Sequence, residues 1–291
     1  MNQPIILHRR RNFTELLNVS FEYLVRHYRT LLPPMLVVAG IMSLLVSIAT
    51  RVFQMGLILR ARTTISMPTG RSTYWGLMGP LVTPSYWVIL VLSLLSGVLL
   101  SMIVYSHVLS YEENSGESIT FSSVMNWFEA KWFRVVPVAL ASGLLVMVGL
   151  VCFLIPGIYC AVVLSLITFV VMREDLGLVS AIRRCFALIA GNWWLTLGLI
   201  LIMWGINFVV HTGTNAIVVA ALGRYYFANP LIQVVINTVM GVFGALLSAP
   251  LYLALAFQYY SLLEQKESIG LLNQVEAIGI MPDQQPHPAD E

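Results

Sequence analysis

Three times along this chain an amphipathic stretch runs directly into a long apolar one. The amphipathic pieces are residues 13–32, 119–133 and 176–193. In the first, Phe13, Leu16, Leu17, Phe21, Leu24, Tyr28 and Leu31 recur at helical spacing, with Glu15, Asn18, Glu22, Arg26 and Arg29 opposite. Asn12 followed by Glu15 has the form of a capping box. In the second, Phe121, Val124, Met125, Phe128 and Trp132 make the stripe, against Ser122, Asn126, Glu129 and Lys131. In the third, Val179, Ile182, Phe186, Ile189 and Trp193 line up while Ser180, Arg183 and Arg184 face away. Glu174 and Asp175 precede this last piece, where negative charge favours a helix N-terminus. Each copy also spaces an aromatic or Met seven positions before another aromatic: Phe21 and Tyr28, Met125 and Trp132, Phe186 and Trp193.

The apolar stretches are of membrane-crossing length. About 20 apolar residues in a helix cover the ~30 Å of hydrocarbon in a bilayer. Cut at their turn signals, they give six spans: 35–59, 86–107, 135–153, 157–172, 193–210 and 231–263. The expected fold is an all-α membrane protein of six transmembrane helices. They form three hairpins, each preceded by an amphipathic helix lying in the cytoplasmic headgroup plane. One polytopic domain covers 1–263, with repeat units at about 13–110, 119–172 and 176–263, and residues 264–291 read as a solvated, mostly disordered cytoplasmic tail. Ile155-Pro156-Gly157 predicts a sharp reversal with a positive φ at the glycine. Pro250 predicts a kink in the last span, and 216–222 a short outer-face or re-entrant helix.

Composition agrees. With 58% hydrophobic and 10% charged residues, the chain is not a soluble domain, and a net charge of +2 gives nucleic acid nothing to bind. Six spans put Arg9, Arg10, Arg11, Arg26, Arg29, Lys131, Arg134, Arg173, Arg183, Arg184 and Lys266 on one side. Arg60, Arg62, Arg71 and Arg224 fall on the other, with Arg51 just inside the membrane. The basic-rich side is expected to be cytoplasmic, with both termini there.

Candidate chemistry is sparse. Cys152, Cys160 and Cys185 have no metal-ligand or redox spacing and read as small apolar residues. The spans carry no carboxylate, and Arg51 reads as an anchor snorkelling to the outer headgroups. Ser96 or Ser142 beside Gly97 or Gly143, with His107 or His211 as base, has the outline of a nucleophilic dyad. Small residues of this kind more commonly let membrane helices approach each other. The expectation is therefore a non-enzyme without cofactor or metal. Arg26, Arg29, Lys131, Arg134, Arg183 and Arg184 are the candidate contacts to anionic lipid headgroups. Membrane lipids are the expected partners, together with a membrane or cytoplasmic protein that the chain scaffolds. The competing expectation is a permease-like protein for a lipid or small apolar molecule, with Asn207, Asn237 and Gln258 lining a polar cavity.

Two motifs add a resemblance. Ile155-Pro156-Gly157-Ile158-Tyr159 is followed, after an apolar span and an acidic pair, by Ala181-Ile182-Arg183-Arg184-Cys185-Phe186-Ala187-Leu188-Ile189-Ala190-Gly191-Asn192-Trp193-Trp194. This resembles a family of bacterial six-span membrane proteins, grouped with the membrane domain attached to some glycerophosphoryl diester phosphodiesterases. The likeness runs over about 135–205, with Cys185 where the family pattern has serine. It implies a bacterial inner membrane and six helices with cytoplasmic amphipathic segments. It does not imply phosphodiesterase activity, which belongs to a separate soluble domain.

Overall fold

The computed structural model describes residues 5–64, 83–114 and 119–267, the side chains of 60–64 and 227–228 apart. The tail from residue 268 on and most of the first outer loop lie outside these residues, while 264–267 continue the last helix. The described residues are helical, with no strand. In chain order the helices are α1 (Phe13–Thr64), α2 (Pro84–Glu113), α3 (Phe121–Cys152), α4 (Leu154–Leu164), α5 (Ile167–Glu174), α6 (Leu178–Ile189), α7 (Trp193–Ala228), α8 (Pro230–Leu247) and α9 (Ala249–Glu267). Six helical stretches are long and apolar enough to cross a membrane: Phe13–Leu59, Pro84–Glu113, Phe121–Cys152, Leu154–Glu174, Trp193–Tyr226 and Pro230–Glu267. The chain is a multi-pass, all-α membrane protein.

Several boundaries differ from the hydropathy reading. The first amphipathic segment and the first span are one helix of 52 residues, with Pro33 and Pro34 inside it. At 1.5 Å per residue it is about 78 Å long, more than twice the hydrocarbon thickness. The second amphipathic segment is likewise continuous with its span in α3, through Pro137. Only α6 is a separate rod. It turns back onto α4 and α5, so that Phe186 and Trp193 reach the Tyr159 ring. Residues 216–222 continue α7 rather than forming a helix of their own. The last span divides at Ser248, two residues before Pro250. A proline cannot donate to the ladder, so the break falls where the sequence placed the kink.

The reversal at 153–157 departs from a glycine turn. Gly157 has no positive φ; among the described glycines that belongs to Gly191, in the α6–α7 corner, at +86°. A single extended residue, Phe153, separates α3 from α4. Pro156 then sits in the first turn of α4, where a missing N–H costs no ladder bond. Gly157 serves close approach instead: a Cβ there would lie 2.5 Å from the Leu150 nitrogen and 2.6 Å from its Cα.

Contacts at both ends set α1 antiparallel to α2. Tyr23 and Thr30 meet His107 at one end, and the Phe53 ring meets Tyr86 at the other. Helix α1 is also antiparallel to α8, where Ser43 abuts Gly241 and Arg51 bonds Gln233. The core lies in one half of the molecule. Leu100 to Tyr111 of α2, Val162 to Met172 of α4 and α5 apart from Ser165 and Thr168, and Leu253 to Leu263 of α9 are buried almost without interruption. Phe169 joins them, with its ring centroid 5.0 Å from that of Tyr105 and 4.8 Å from that of Tyr259. These helices belong to the three spans that return toward the cytoplasmic side in the expected topology.

The amphipathic segments cover this core with part of the predicted stripe and with residues beside it. Within residues 13–32 of α1 the buried residues are Leu16, Val19, Ser20, Tyr23 and Leu31, while Phe21 and Tyr28 are exposed. In α3 Val124 is buried and Phe121 and Trp132 are exposed; in α6 Ala181, Cys185, Leu188 and Ile189 are buried and Val179 and Phe186 exposed. Each segment therefore has two apolar faces, one packed on protein and one aromatic-rich and outward.

Replacing Gly157 by Ala should push Leu150 backbone atoms aside and cost about 1–3 kcal/mol. Thermal unfolding in detergent checks this, with Gly205→Ala, which meets nothing within 4 Å, as the neutral control.

Candidate functional site

The returning helices end in polar residues, and these converge. Glu112 and Arg173 lie in the last turns of α2 and α5, and Tyr259 and Tyr260 lie in α9. Arg173 grips Glu112 with two bonds, Nη2 to Oε1 at 2.8 Å and Nε to Oε2 at 3.3 Å. The Tyr260 hydroxyl donates to Glu112 Oε2 at 2.5 Å, and His8 Nε2 lies 3.1 Å from Oε1. The Tyr259 hydroxyl donates to Glu174 Oε1 at 2.6 Å and accepts from Arg173 Nη1 at 3.3 Å. The guanidinium carbon also lies 5.6 Å and 5.2 Å from the Tyr259 and Tyr260 ring centroids. Both charged side chains are about one quarter exposed, 24% for Arg173 and 26% for Glu112, so water screens them little. Bidentate, charge-assisted bonds of this kind are the strong ones.

A second shell of pairs ties the amphipathic segments to the same ends. Arg184 bonds Glu174 and Glu267, at 2.9 Å and 2.6 Å, joining α6 to α5 and α9. Burial works against the Arg184 charge, but these two partners outweigh it and raise its affinity for the proton above the ordinary arginine range. Asp175 caps α5 in the left-handed region, φ 58°, which a short polar side chain tolerates. It takes Lys131 at 2.9 Å and Arg134 at 2.6 Å, and these bonds hold its carboxyl below the usual range. Trp127 Nε1 donates to Glu113 at 2.9 Å, fastening the start of α3 to the end of α2. Glu15 accepts from the Asn12 amide, the carboxylate half of the expected capping box.

On the N-terminal side, Arg11 is buried against α9. Its amide donates to Ser261 Oγ, its guanidinium donates to the Ile6 and Leu7 carbonyls, and it lies 5.3 Å from the Phe257 ring centroid. Burial, with Arg9 adding to it, brings its pKa down to about 10. Beneath it, both ring nitrogens of His107 are occupied, Nδ1 by the Tyr23 hydroxyl at 2.8 Å and Nε2 by Thr30 Oγ1 at 2.9 Å.

The candidate headgroup residues divide on this network. Arg26 pairs with Glu22, Lys131 and Arg134 with Asp175, and Arg184 with Glu174 and Glu267. Arg29 lies over the Tyr28 ring and donates to its hydroxyl, and Arg183 is exposed. The candidate cavity residues lie apart in the bonding pattern. Buried Gln258 donates to Thr196, Asn237 accepts from Tyr226, and Asn207 is half-buried on α7. The dyad serine Ser142 donates to the Ala139 carbonyl of its own helix. Among the described residues no group of three or more His, Cys, Asp or Glu could hold a metal. Cys185 is buried, and burial first, then Glu174, pushes its thiol up to about 12, leaving it a packing residue.

A cleft of about 370 Å³ opens between α2, α3, α4, α5 and α9, lined by Gly97, Ser101, Tyr105, Gly143, Thr168 and Tyr252 among others. The hydroxyl of Ser101, like that of Ser142, turns back to its own helix. The two motifs of the resemblance meet as well: Tyr159 stacks on Trp193 at 5.7 Å, and Gly191 supplies the left-handed residue between α6 and α7. Comparison with protein-family models, curated proteins and solved structures found no match.

Hydropathy missed His8, Glu112, Arg173, Tyr259 and Tyr260. The available signal was positional: Tyr111-Glu112-Glu113, Arg173-Glu174-Asp175 and Tyr259-Tyr260 each stand near the end of a returning span.

Glu112→Gln should leave Arg173 unpaired in a part-buried site and cost roughly 2–3 kcal/mol, less than a fully buried pair would. Tyr260→Phe should cost about 1 kcal/mol, and exposed Glu113→Gln less. Unfolding midpoints of the three variants in one detergent give the order.

Proposed function

We propose that this protein is a non-enzymatic integral scaffold or accessory subunit of a bacterial inner membrane, with both termini cytoplasmic. The motif-level resemblance to the six-span family and the Lys and Arg distribution support that placement. The observation that carries the functional reading is the clasped core: α2, α5 and α9 are buried where they converge, and their ends are fixed by Glu112, Arg173, Tyr259 and Tyr260. A transporter must exchange two helix arrangements, and a bidentate pair plus two tyrosine hydroxyls resists that exchange. The exposed aromatics Phe21, Tyr28, Trp132 and Phe186 suit a membrane-interface or partner surface. Arg29 and Arg183 are the candidates left for anionic headgroups, since the other four are engaged with carboxylates.

The competing reading, a permease for a lipid or small apolar molecule, draws on the 370 Å³ cleft between α2, α3, α4, α5 and α9. Proteoliposomes separate the two. The scaffold reading expects no protein-dependent flux of fluorescent phospholipid or apolar solute, and a stoichiometric protein or lipid in detergent pull-downs read by mass spectrometry. Flux above empty vesicles would overturn it. In a background lacking Cys152 and Cys160, Arg71→Cys should label from outside and Ser115→Cys only from the cytoplasm.

A further inference from the structure

The molecule has a second polar cluster at the end opposite Glu112. Along α2, Tyr86, which touches Phe53, and Glu112 are about 39 Å apart at 1.5 Å per residue. That exceeds the ~30 Å hydrocarbon layer, so the two ends of the α1–α2 pair can reach opposite headgroup regions. Arg51 stands at the far end, two residues before Phe53, on the face of α1 that meets α8.

Its bonding leaves it short of acceptors. Arg51 Nη1 donates to Gln233 Oε1 at 2.8 Å, and Gln233 Nε2 donates to Gln54 Oε1 at 3.2 Å. The direction of this chain is forced. A guanidinium can only donate, so Gln233 must offer its oxygen; its NH₂ then donates, and Gln54 must accept with oxygen. The remaining groups are all donors: Arg51 Nε and Nη2, and the Gln54 NH₂. Arg51, Gln54 and Gln233 are half-buried, where an uncompensated charge is costly.

Among the described residues no carboxylate pairs with it. Residues 23–111, 130–173 and 176–263 contain no Asp or Glu, so all acidic positions lie at 15, 22, 112–129, 174–175 and beyond 263. Every outer-side segment of the expected topology thus carries arginine or no charge. Arg51, Arg60, Arg62, Arg71 and Arg224 have no acidic neighbour in their own segments. In that topology the counter-charge is an external anion at headgroup depth, and a planar fork with flanking amide donors matches the oxygens of a phosphate.

We infer that Arg51, Gln54 and Gln233 form a binding site for a phosphate monoester or diester, at the end of the membrane domain opposite the Glu112–Arg173 cluster. Gln233 orients the guanidinium, and Arg51 and Gln54 contact the anion. The site goes beyond the scaffold reading and needs only that the helices cross a membrane, so loss of either leaves the other standing.

Native mass spectrometry of the full chain in mild detergent, titrated with phosphatidylglycerol, tests it. Arg51→Gln should weaken the tightest lipid adduct roughly tenfold, and Gln54→Leu should weaken it less. Diacylglycerol, which lacks the phosphate, should bind both variants and the parent alike. Displacement of the adduct by millimolar inorganic phosphate assigns the site to free phosphate; retention assigns it to the lipid. If Arg51→Gln melts below the parent, Gln54→Leu, which keeps the charge, carries the comparison. Equal phosphatidylglycerol binding by the parent and the folded variants, with no phosphate binding, would overturn the proposal.

Discussion

The bidentate pair between Glu112 and Arg173 is the constraint on which the arrangement depends. Three helices of low polarity have little to choose between one another and lipid, because hydrocarbon solvates an apolar side chain as well as protein does. What selects a particular assembly is a polar group that only one partner can satisfy. Arg173 presents two N–H groups to both oxygens of Glu112, Tyr260 takes the second lone pair of Oε2, and Tyr259 bridges to Glu174. This fixes α2, α5 and α9 in register at their converging ends, and the buried runs above them fill the space between. Arg184, Lys131, Arg134 and Trp127 then fasten the amphipathic segments around the same ends.

The spans were legible because a bilayer imposes a length and a composition that few other structures share, and all six appear. The phase of the amphipathic faces was not legible. Hydropathy gives one apolar stripe facing the membrane interface, yet Leu16 and Leu31 of that stripe join Val19 and Tyr23 in the core while Phe21 and Tyr28 point outward. Protein interior and lipid are equally apolar, so periodicity reports the polar face and cannot divide the rest. Boundaries failed for a related reason. Pro33 and Pro34 separate the first amphipathic segment from the first span in the hydropathy reading, but they lie within α1, as Pro137 lies within α3. Prolines are tolerated in membrane helices because neighbouring groups satisfy the freed backbone.

The polar contacts were the least legible part. Arg26, Lys131, Arg134 and Arg184 carry the signature of headgroup ligands, basic and beside interfacial aromatics, and sequence separation hides that their carboxylates lie up to 83 residues away. Gln258 and Asn237 similarly read as cavity lining but bond widely separated positions of α7, Thr196 and Tyr226. Gly157 shows the converse. A turn signal was read as dihedral freedom, while its actual contribution is the absence of a side chain where α4 crosses the last turn of α3. The two polar ends differ: Glu112 and Arg173 pair with each other at one, while at the other Arg51 bonds Gln233 and, among the described residues, meets no carboxylate.

A double-mutant cycle tests the central claim most directly. Unfolding free energies of the parent, Glu112→Gln, Arg173→Gln and the double variant, measured in one detergent or bicelle, give the coupling between the two side chains. Dependence of the assembly on this pair predicts a coupling of about 1.5 kcal/mol or more. Additive single effects, with a coupling indistinguishable from zero, would contradict it.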